Sequence, residues 1–363
     1  MVIQQLKIAV FILTYFIYSW LSYAQVNEVG IIVCRTSYKC ICSYPNPNYT
    51  YISMGCPGHP SEDQDSIPMV SSDIGNNITI FTMQGQSINK RLSITKLYNN
   101  SFITFTNVLS IRILYTKLQY LDVQTFLPCK NSLQYLELTY NQIQTLPQGI
   151  FSYIPKLALL YLHHNLLTTL DGTGIGSFTQ MVSLDISYNL LKTLPNDFSS
   201  NFLPQCKTSL RMLNLSYNSL LITGLEFYDT QDTNMITSLL QLGIANCSIE
   251  QTWKTKGKTF LIEMANLEIL DFGYNGFNEI LLETFRSAYP ESNSKLKRLY
   301  LRGNNFKSLD SYVFRILTNL ELLDLSKNKI SSINENAFTG IYFYLIQCIF
   351  HNFIGAGCHL AGP

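Results

Sequence analysis

Nine cysteines and one pair of adjacent histidines are the residues whose chemistry stands out in this sequence of 363 residues. Four of the cysteines cluster near the N-terminus with the spacing C-x5-C-x-C-x13-C, namely Cys34, Cys40, Cys42 and Cys56. Such a cluster forms disulfides in an oxidising compartment or binds zinc, and no histidine pair lies near it to favour zinc. The pair His163-His164 could join a metal site or act as a pH sensor. We expect two exposed strand residues there, and no metal or other cofactor.

The N-terminal residues predict secretion. Lys7 precedes an apolar run from Ile8 to Leu21, and Ser22-Tyr23-Ala24 supplies small residues at the positions that a signal peptidase reads. We therefore predict a signal peptide at 1–24, because the apolar run is shorter than the ~20 residues that span a bilayer. Acceptor motifs for N-glycosylation, N-x-S/T, occur at Asn48, Asn77, Asn99, Asn214 and Asn246.

The composition excludes several classes of protein. Charged residues make up 13% of the chain and the net charge is +1, so the sequence has neither the basic footprint of a nucleic-acid-binding protein nor an acidic tail. Glycans on a secreted chain could supply the hydration that so few charges do not. The sequence contains no G-x-S-x-G, H-E-x-x-H or P-loop motif, and its acidic residues are scattered. We therefore expect a protein that is not an enzyme.

One eleven-residue pattern, LxxLxLxxNxL, recurs at steps of 24 to 30 residues. Seven clear copies begin at Leu133, Leu157, Met181, Leu210, Leu267, Leu296 and Leu320; a variant begins at Leu239, and weaker copies begin at Ile78 and Val108. Its ninth position, here called the ladder position, is occupied by Gln86, Thr116, Asn141, Asn165, Asn189, Asn218, Cys247, Asn275, Asn304 and Asn328. Repeats of this length stack, because one copy alone cannot bury its apolar face.

The spacing predicts what each copy does. In LxL the two leucines point to one side of a short strand, and we expect each strand to pair in parallel with the next. The ladder amide can bond backbone groups of adjacent coils that would otherwise be buried without partners. A second series of aromatic residues should fill the outer, convex side: Phe126, Phe151, Phe198, Phe285, Phe314 and Phe338.

The pattern resembles the leucine-rich repeat family over most of the mature chain. The resemblance implies an α/β solenoid of about ten coils, a curved horseshoe with a parallel β-sheet on its concave face. In extracellular members of the family an N-terminal cap with two disulfides seals the first coil. That resemblance assigns the four clustered cysteines to a cap at 25–75, followed by the solenoid at 76–340.

The remaining cysteines and the C-terminus fit this plan less closely. Cys129 and Cys206 share a repeat phase but stand three coils, or roughly 15 Å, apart, too far for a disulfide. We expect both to be free thiols and Cys247 to be a buried core thiol. The last segment, 341–363, is an atypical apolar tail without a recognisable C-terminal cap. We expect a truncated form of a longer receptor; a makeshift cap and a partial gene model are the alternatives.

A column of tyrosines is the candidate binding surface. The residue before the ladder position is tyrosine in five copies, and tyrosine gives rigid, amphipathic contact area. With two mid-strand residues, the candidates on the concave face are Tyr140, Tyr161, Tyr188, Tyr217, Tyr274 and Tyr300. The alternative is that S-Y-N is simply a repeat consensus in which each ring packs on its neighbour.

The irregular repeat lengths and segments such as 145–165 and 332–341 are similar to those of Toll-like receptor ectodomains. That resemblance implies a secreted or cell-surface, ligand-binding protein of innate immunity, or a soluble fragment of such a receptor. Its partners would be a protein or microbial ligand, with a second leucine-rich repeat receptor in a homo- or heterodimer. The alternative is an extracellular adhesion or matrix protein similar to Slit or the small proteoglycans.

Overall fold

The computed structural model describes residues 31–32, 41–43, 52–57, 67, 77–220, 238–249, 264, 266–280, 295–341 and 347–348. The predicted signal peptide, Cys34 and Cys40, Asn48, Phe285 and most of the tail lie outside these residues. Cys42 and Cys56 lie on described strands, but their side chains are outside the description. The predicted cap disulfides therefore stay a prediction.

In the described ranges, eighteen short strands account for most of the regular structure. They are β1 Ile31–Ile32, β2 Ile41–Ser43, β3 Ile52–Pro57, β4 Ile78–Gln84, β5 Lys96–Leu97, β6 Ser110–Leu114, β7 Tyr120–Leu121, β8 Tyr135–Glu137, β9 Leu159–Tyr161, β10 Ser183–Asp185, β11 Met212–Asn214, β12 Gln241–Gly243, β13 Ile269–Asp271, β14 Arg298–Tyr300, β15 Ser308–Leu309, β16 Leu322–Asp324, β17 Ser332–Ile333 and β18 Gln347–Cys348.

One long sheet runs through the molecule in the order β1-β2-β3-β4-β6-β8-β9-β10-β11-β12-β13-β14-β16-β18. The first two pairings are antiparallel and every later one is parallel. The strands β4, β6, β8 to β14 and β16 carry the ten copies of the repeat, one strand each. The predicted parallel solenoid is confirmed, and the leucines align: Leu136 pairs with Leu160, Leu160 with Leu184 and Leu184 with Leu213.

Where the structure describes it, the opposite side of the coils is built from turns rather than long helices. Its regular pieces are 3₁₀ turns at Leu127–Cys129, Ile150–Tyr153 and Ile175–Ser177, a π-helical turn at Phe198–Phe202 and a single α-helical turn, α1, at Leu203–Cys206. The phenylalanines of the second series that the structure describes are all buried on this side. The core is thus a continuous stack of strand leucines and outer rings.

The ladder asparagines join their coils to the coil before each of them. Asn189 is representative: its Oδ1 accepts from the amide of Leu167 at 3.0 Å, and its Nδ2 donates to the carbonyls of Leu162 and Ile186 at 3.1 and 3.0 Å. Cys247 replaces this amide with a thiol, which donates to the carbonyl of Leu215 at 3.2 Å. Buried backbone groups of neighbouring coils therefore find partners in side chains.

The first coil departs from the repeat pattern. The pattern places an apolar core residue at Ile88, but the Ile88 side chain is 54% exposed. The chain turns back at this point, with the amide of Gln86 donating to the carbonyl of Lys90, and Leu92 is buried instead. This turn explains why the first step of the repeat is 30 residues long.

The C-terminal tail contributes one further strand. In β18, Cys348 pairs with Leu323 of β16, so the sheet continues in parallel beyond the last complete copy. Within the described residues, no helix is both long and apolar enough to cross a membrane.

Candidate functional site

The residues that precede the ladder position form a column along the edge of the sheet, just past the strand ends. Each non-glycine member that the structure describes has a positive φ between 50° and 58°: Tyr115, Tyr140, His164, Tyr188, Tyr217, Asn246, Tyr274 and Lys327. Non-glycine residues rarely adopt this left-handed conformation. In these eight coils, and at Gly303, this conformation turns the backbone inward, which places the ladder side chain under the sheet and the preceding residue outside.

Five consecutive members form a continuous ring stack, here called the aromatic column: Tyr115, Tyr140, His164, Tyr188 and Tyr217. Neighbouring ring centroids lie 4.2 to 4.5 Å apart, and the planes lie within 20° of parallel. The spacing follows from the ~4.8 Å between adjacent strands, because identical backbone turns repeat at that distance. Each ring therefore covers its neighbour's face.

The stack changes beyond Tyr217. The next coil has Asn246 in place of a ring, and the centroids of Tyr217 and Tyr274 are 6.2 Å apart with planes tilted by 49°. Gly303 follows with a φ of 70°, and a β-carbon there would lie 2.2 Å from the Tyr274 ring. The ammonium of Lys327 then donates to the Tyr274 hydroxyl at 3.0 Å.

The environment of the aromatic column shifts the pKa values of three members, of which Tyr115 has its pKa raised by burial first and then by Tyr140. Burial lowers the pKa of His164, and the neighbouring His163 lowers it further while Asp185 opposes the shift. Burial also raises the pKa of Tyr188 to about 12, with Tyr217 adding to the shift. These shifts favour the neutral form of the side chain at pH 7.

Two exposed leucines flank the middle of the aromatic column, and we call Leu166 and Leu190 the leucine pair. They are 40% and 51% exposed. Each leucine lies two positions after a column residue, and the ladder asparagine between the leucine and that column residue is buried. The leucine and the column residue therefore both face outward. Together with the 42%-exposed ring of Tyr188, they form an apolar strip across two coils.

The mid-strand residues on the sheet, by contrast, are mostly engaged with each other. Arg112 Nε and the Tyr135 hydroxyl each donate to Glu137 Oε2 at 2.7 Å. Asn214 Nδ2 donates to Asp185 Oδ2 at 3.1 Å.

A second charged network lies towards the C-terminus. Arg302 pairs with Asp271 at 2.9 Å and lies 3.8 Å from Asp324. These polar groups bond one another on the surface of the sheet, which leaves them fewer hydrogen-bonding groups for a ligand.

The six tyrosines predicted as one concave face occupy two different places. Tyr140, Tyr188, Tyr217 and Tyr274 lie in the edge column. Tyr161 is half-buried on β9 with its ring edge-to-face against Tyr135, and the ring of Tyr300 lies under the guanidinium of Arg302. Sequence reasoning missed the leucine pair, although its signal was present: an apolar residue at the otherwise polar position after the ladder asparagine.

The histidine pair belongs to the same edge. The ring of His163 contacts both His164 and Tyr140 edge-on, at 5.3 Å in each case. Among the residues that the structure describes, no group of three His, Cys, Asp or Glu side chains has the arrangement of a metal site.

Comparison with known proteins places these features in a family. A model described as leucine rich repeat matches residues 131–191 and 294–342. Human Toll-like receptor 3 is 27% identical over 294 residues, which cover 65% of this chain and 31% of that protein. Chaoptin from Drosophila melanogaster is 27% identical over 209 residues, 57% of this chain and 14% of chaoptin. The chain therefore spans at most about a third of these two relatives.

A solved structure shares the fold. The leucine-rich repeat domain of APL1 superposes with a TM-score of 0.55 at 20% identity, covering 82% of this chain and 70% of that domain. The parallel sheet, the stacked repeats and these similarities identify the chain as a leucine-rich repeat protein that resembles a Toll-like receptor ectodomain.

Proposed function

We propose that the chain is a non-enzymatic ligand-binding ectodomain, or a soluble fragment of a Toll-like receptor, that binds a protein ligand outside the cell. The observation that carries the proposal is the exposed apolar strip formed by the leucine pair and the ring of Tyr188, beside the aromatic column. Tyrosine is enriched at binding hot spots, and contiguous exposed apolar surface is uncommon on a soluble domain without a partner. The N-terminal sequence, with its predicted signal peptide and cysteine cap, supports the extracellular location.

The chemistry of the strip favours a protein over a microbial nucleic acid as the ligand. A polyanion is held through Lys and Arg contacts to its phosphates. The five column residues include no Lys or Arg, and the chain has a net charge of only +1. Ring edges and tyrosine hydroxyls instead suit a surface with apolar side chains and hydrogen-bonding groups.

A binding screen tests this proposal. The purified chain would be immobilised and exposed to the secreted proteins of its own organism, expressed one by one, and to double-stranded RNA. We expect a protein ligand whose affinity falls at least tenfold for the double variant Tyr188→Ser, Leu190→Asp. The matched control is Tyr120→Ser, Ile103→Asp, which changes residues that are 48% and 57% exposed on other surfaces.

Two results would count against the proposal. One is that only the RNA binds, with an affinity that falls steeply with salt. The other is that both double variants weaken the protein ligand equally.

An adhesion or matrix protein remains the second candidate, because the similarity extends to chaoptin as well as to receptors. Beads that carry the chain distinguish the two functions. An adhesion protein that binds its own kind makes the beads aggregate, whereas a receptor for a soluble ligand leaves them dispersed.

A further inference from the structure

Four of the five glycosylation motifs have their asparagine in the described part of the chain, and the structure separates them. Asn77, Asn99 and Asn246 are exposed, whereas Asn214 is half-buried on β11. The two motifs near the aromatic column, Asn214-Leu215-Ser216 and Asn246-Cys247-Ser248, differ most in what surrounds their carboxamides.

The carboxamide of Asn214 is part of the sheet surface. Its Nδ2 donates to Asp185 Oδ2 at 3.1 Å, and its Oδ1 accepts from the amide of Ser216 at 3.2 Å. The side chain also fills the space beside Gly243, where a β-carbon would lie 2.4 Å from Asn214 Oδ1. A sugar on Nδ2 would replace one N–H and would force the amide out of this packing.

Asn246 has the opposite surroundings. It stands in the column position with a φ of 50°, and its backbone amide donates to Gly273 at 2.9 Å. Within the part of the chain that the structure describes, no hydrogen bond engages its carboxamide. Ser248, which completes the motif, is exposed as well. The left-handed turn alone does not require asparagine, since tyrosine, histidine and lysine adopt it in other coils.

We infer that Asn246, and not Asn214, carries an N-linked glycan in the folded protein, and that this glycan bounds the aromatic column at its C-terminal end. In the transfer, Asn246 Nδ2 forms a bond to the anomeric carbon of an oligosaccharide that is linked to a lipid diphosphate. The bond from that carbon to the diphosphate oxygen breaks, the lipid diphosphate leaves with the electron pair, and Nδ2 loses a proton. A chain modified at Asn214 before folding would lose the bond to Asp185 and fold less stably.

The consequence is a limit on the binding surface. The glycan would stand between Tyr217 and Tyr274, where the ring stack is already interrupted. A partner would then have access to the rings from Tyr115 to Tyr217 and to the leucine pair. This inference rests on the proposed extracellular function, because only a secreted chain meets the glycosylation machinery.

Site mapping tests the inference. The full chain would be secreted from a eukaryotic cell, recovered as folded protein and deglycosylated with a peptide amidase in isotope-labelled water, which marks each formerly modified asparagine. We expect Asn246 to be marked and Asn214 to be unmarked. Asn99 is exposed on a different part of the coil and is the internal reference, since its marking reports that the chain met the glycosylation machinery.

The outcomes separate this inference from the proposed function. Marking of Asn214, or of Asn99 without Asn246, would overturn the inference and leave secretion intact. If no asparagine were marked, both the inference and the extracellular proposal would be wrong.

Variants give an independent measurement by electrophoresis. Asn246→Gln and Ser248→Ala should each remove one glycan's mass, since both destroy the same motif. Asn214→Gln should leave the mass unchanged and lower the melting temperature. A loss of mass in Asn214→Gln, with none in Ser248→Ala, would contradict the assignment.

Discussion

The rings of His164 and Tyr188 lie 4.2 Å apart and 11° from parallel, although the residues belong to consecutive coils. The other face of His164 contacts Tyr140 with the same spacing and angle. The imidazole is thus enclosed between two phenol rings, with His163 at its edge and Asp185 nearby. His164 places one imidazole within a stack of phenol rings, and protonation of that imidazole in acid would affect the column.

Acid should destabilise the protein through His164. Burial and His163 lower its pKa below the ordinary value of 6.5, so the unfolded chain takes up the proton more readily than the folded one. The contribution of neutral His164 to stability is therefore fully present when the pH is above the ordinary pKa. It is lost as the pH falls from that value towards the lower pKa of the folded state. His164→Tyr keeps the ring and removes this titration. Urea unfolding between about pH 8 and pH 5 should show a smaller loss for the variant than for the wild type; an equal loss would exclude His164 as the source.

Asn189→Ala should lower the free energy of unfolding by about 1–3 kcal/mol, because buried backbone groups of two coils lose their partner. The affected groups include the amide of Leu167 and the carbonyl of Leu162. Asn131→Ala, at an exposed position of a turn, is the control and should change stability little. Chemical denaturation measures both, and a shift near zero for Asn189→Ala would argue against the ladder role.

Leu215→Asp should unfold several coils, since an unpaired carboxylate in the stacked core costs several kcal/mol. Leu190→Asp makes the same chemical change at a side chain that is 51% exposed, and it should fold normally. Circular dichroism and limited proteolysis distinguish the two variants. Equal protease resistance of Leu215→Asp and the wild type would refute the stacked core.

Cys129, Cys206 and Cys247 should resist alkylation in the folded protein. All three are buried free thiols, and burial raises the pKa of Cys129 and Cys247 to about 12 and that of Cys206 to about 11. Because the thiolate is the reactive form, little of it exists at neutral pH. Iodoacetamide followed by peptide mass spectrometry should label these residues only after denaturant is added. Rapid labelling of any of them in the native protein would show that its coil opens.

The spacing of the repeats predicted most of this architecture, because side chains at the same position of successive repeats must occupy equivalent places in successive coils. The pairing of Leu160 with Leu184 and the burial of Asn189 follow from that rule. The exposure of Ile88 does not, since it depends on a local turn that the repeat pattern does not encode. The placement of Tyr188 was also beyond the pattern, because a strand alternation rule takes no account of a left-handed turn.

Only part of the candidate binding surface could be predicted from the sequence. The phase of the repeat separates Tyr140, before the ladder position, from Tyr161, at mid-strand, but both were expected on one concave face. The structure places Tyr140 at the edge of the sheet and Tyr161 on a strand. In the structure the two tyrosines differ in the sign of φ, which the residue type alone does not predict.

The thiol of Cys247 has a mechanical consequence. The side chain of Asn218 accepts a hydrogen bond from the amide of Leu191, which lies in the preceding coil. Cys247 stands at the same position one coil later, and its sulfur is only a weak acceptor for the amides of the coil that contains Asn218. In a one-dimensional array, stability is a sum of nearest-neighbour terms, so the weakest joint decides where the array parts. We expect the joint between the coils of Asn218 and Cys247 to be weaker than a joint that an asparagine closes, so that the solenoid parts there first.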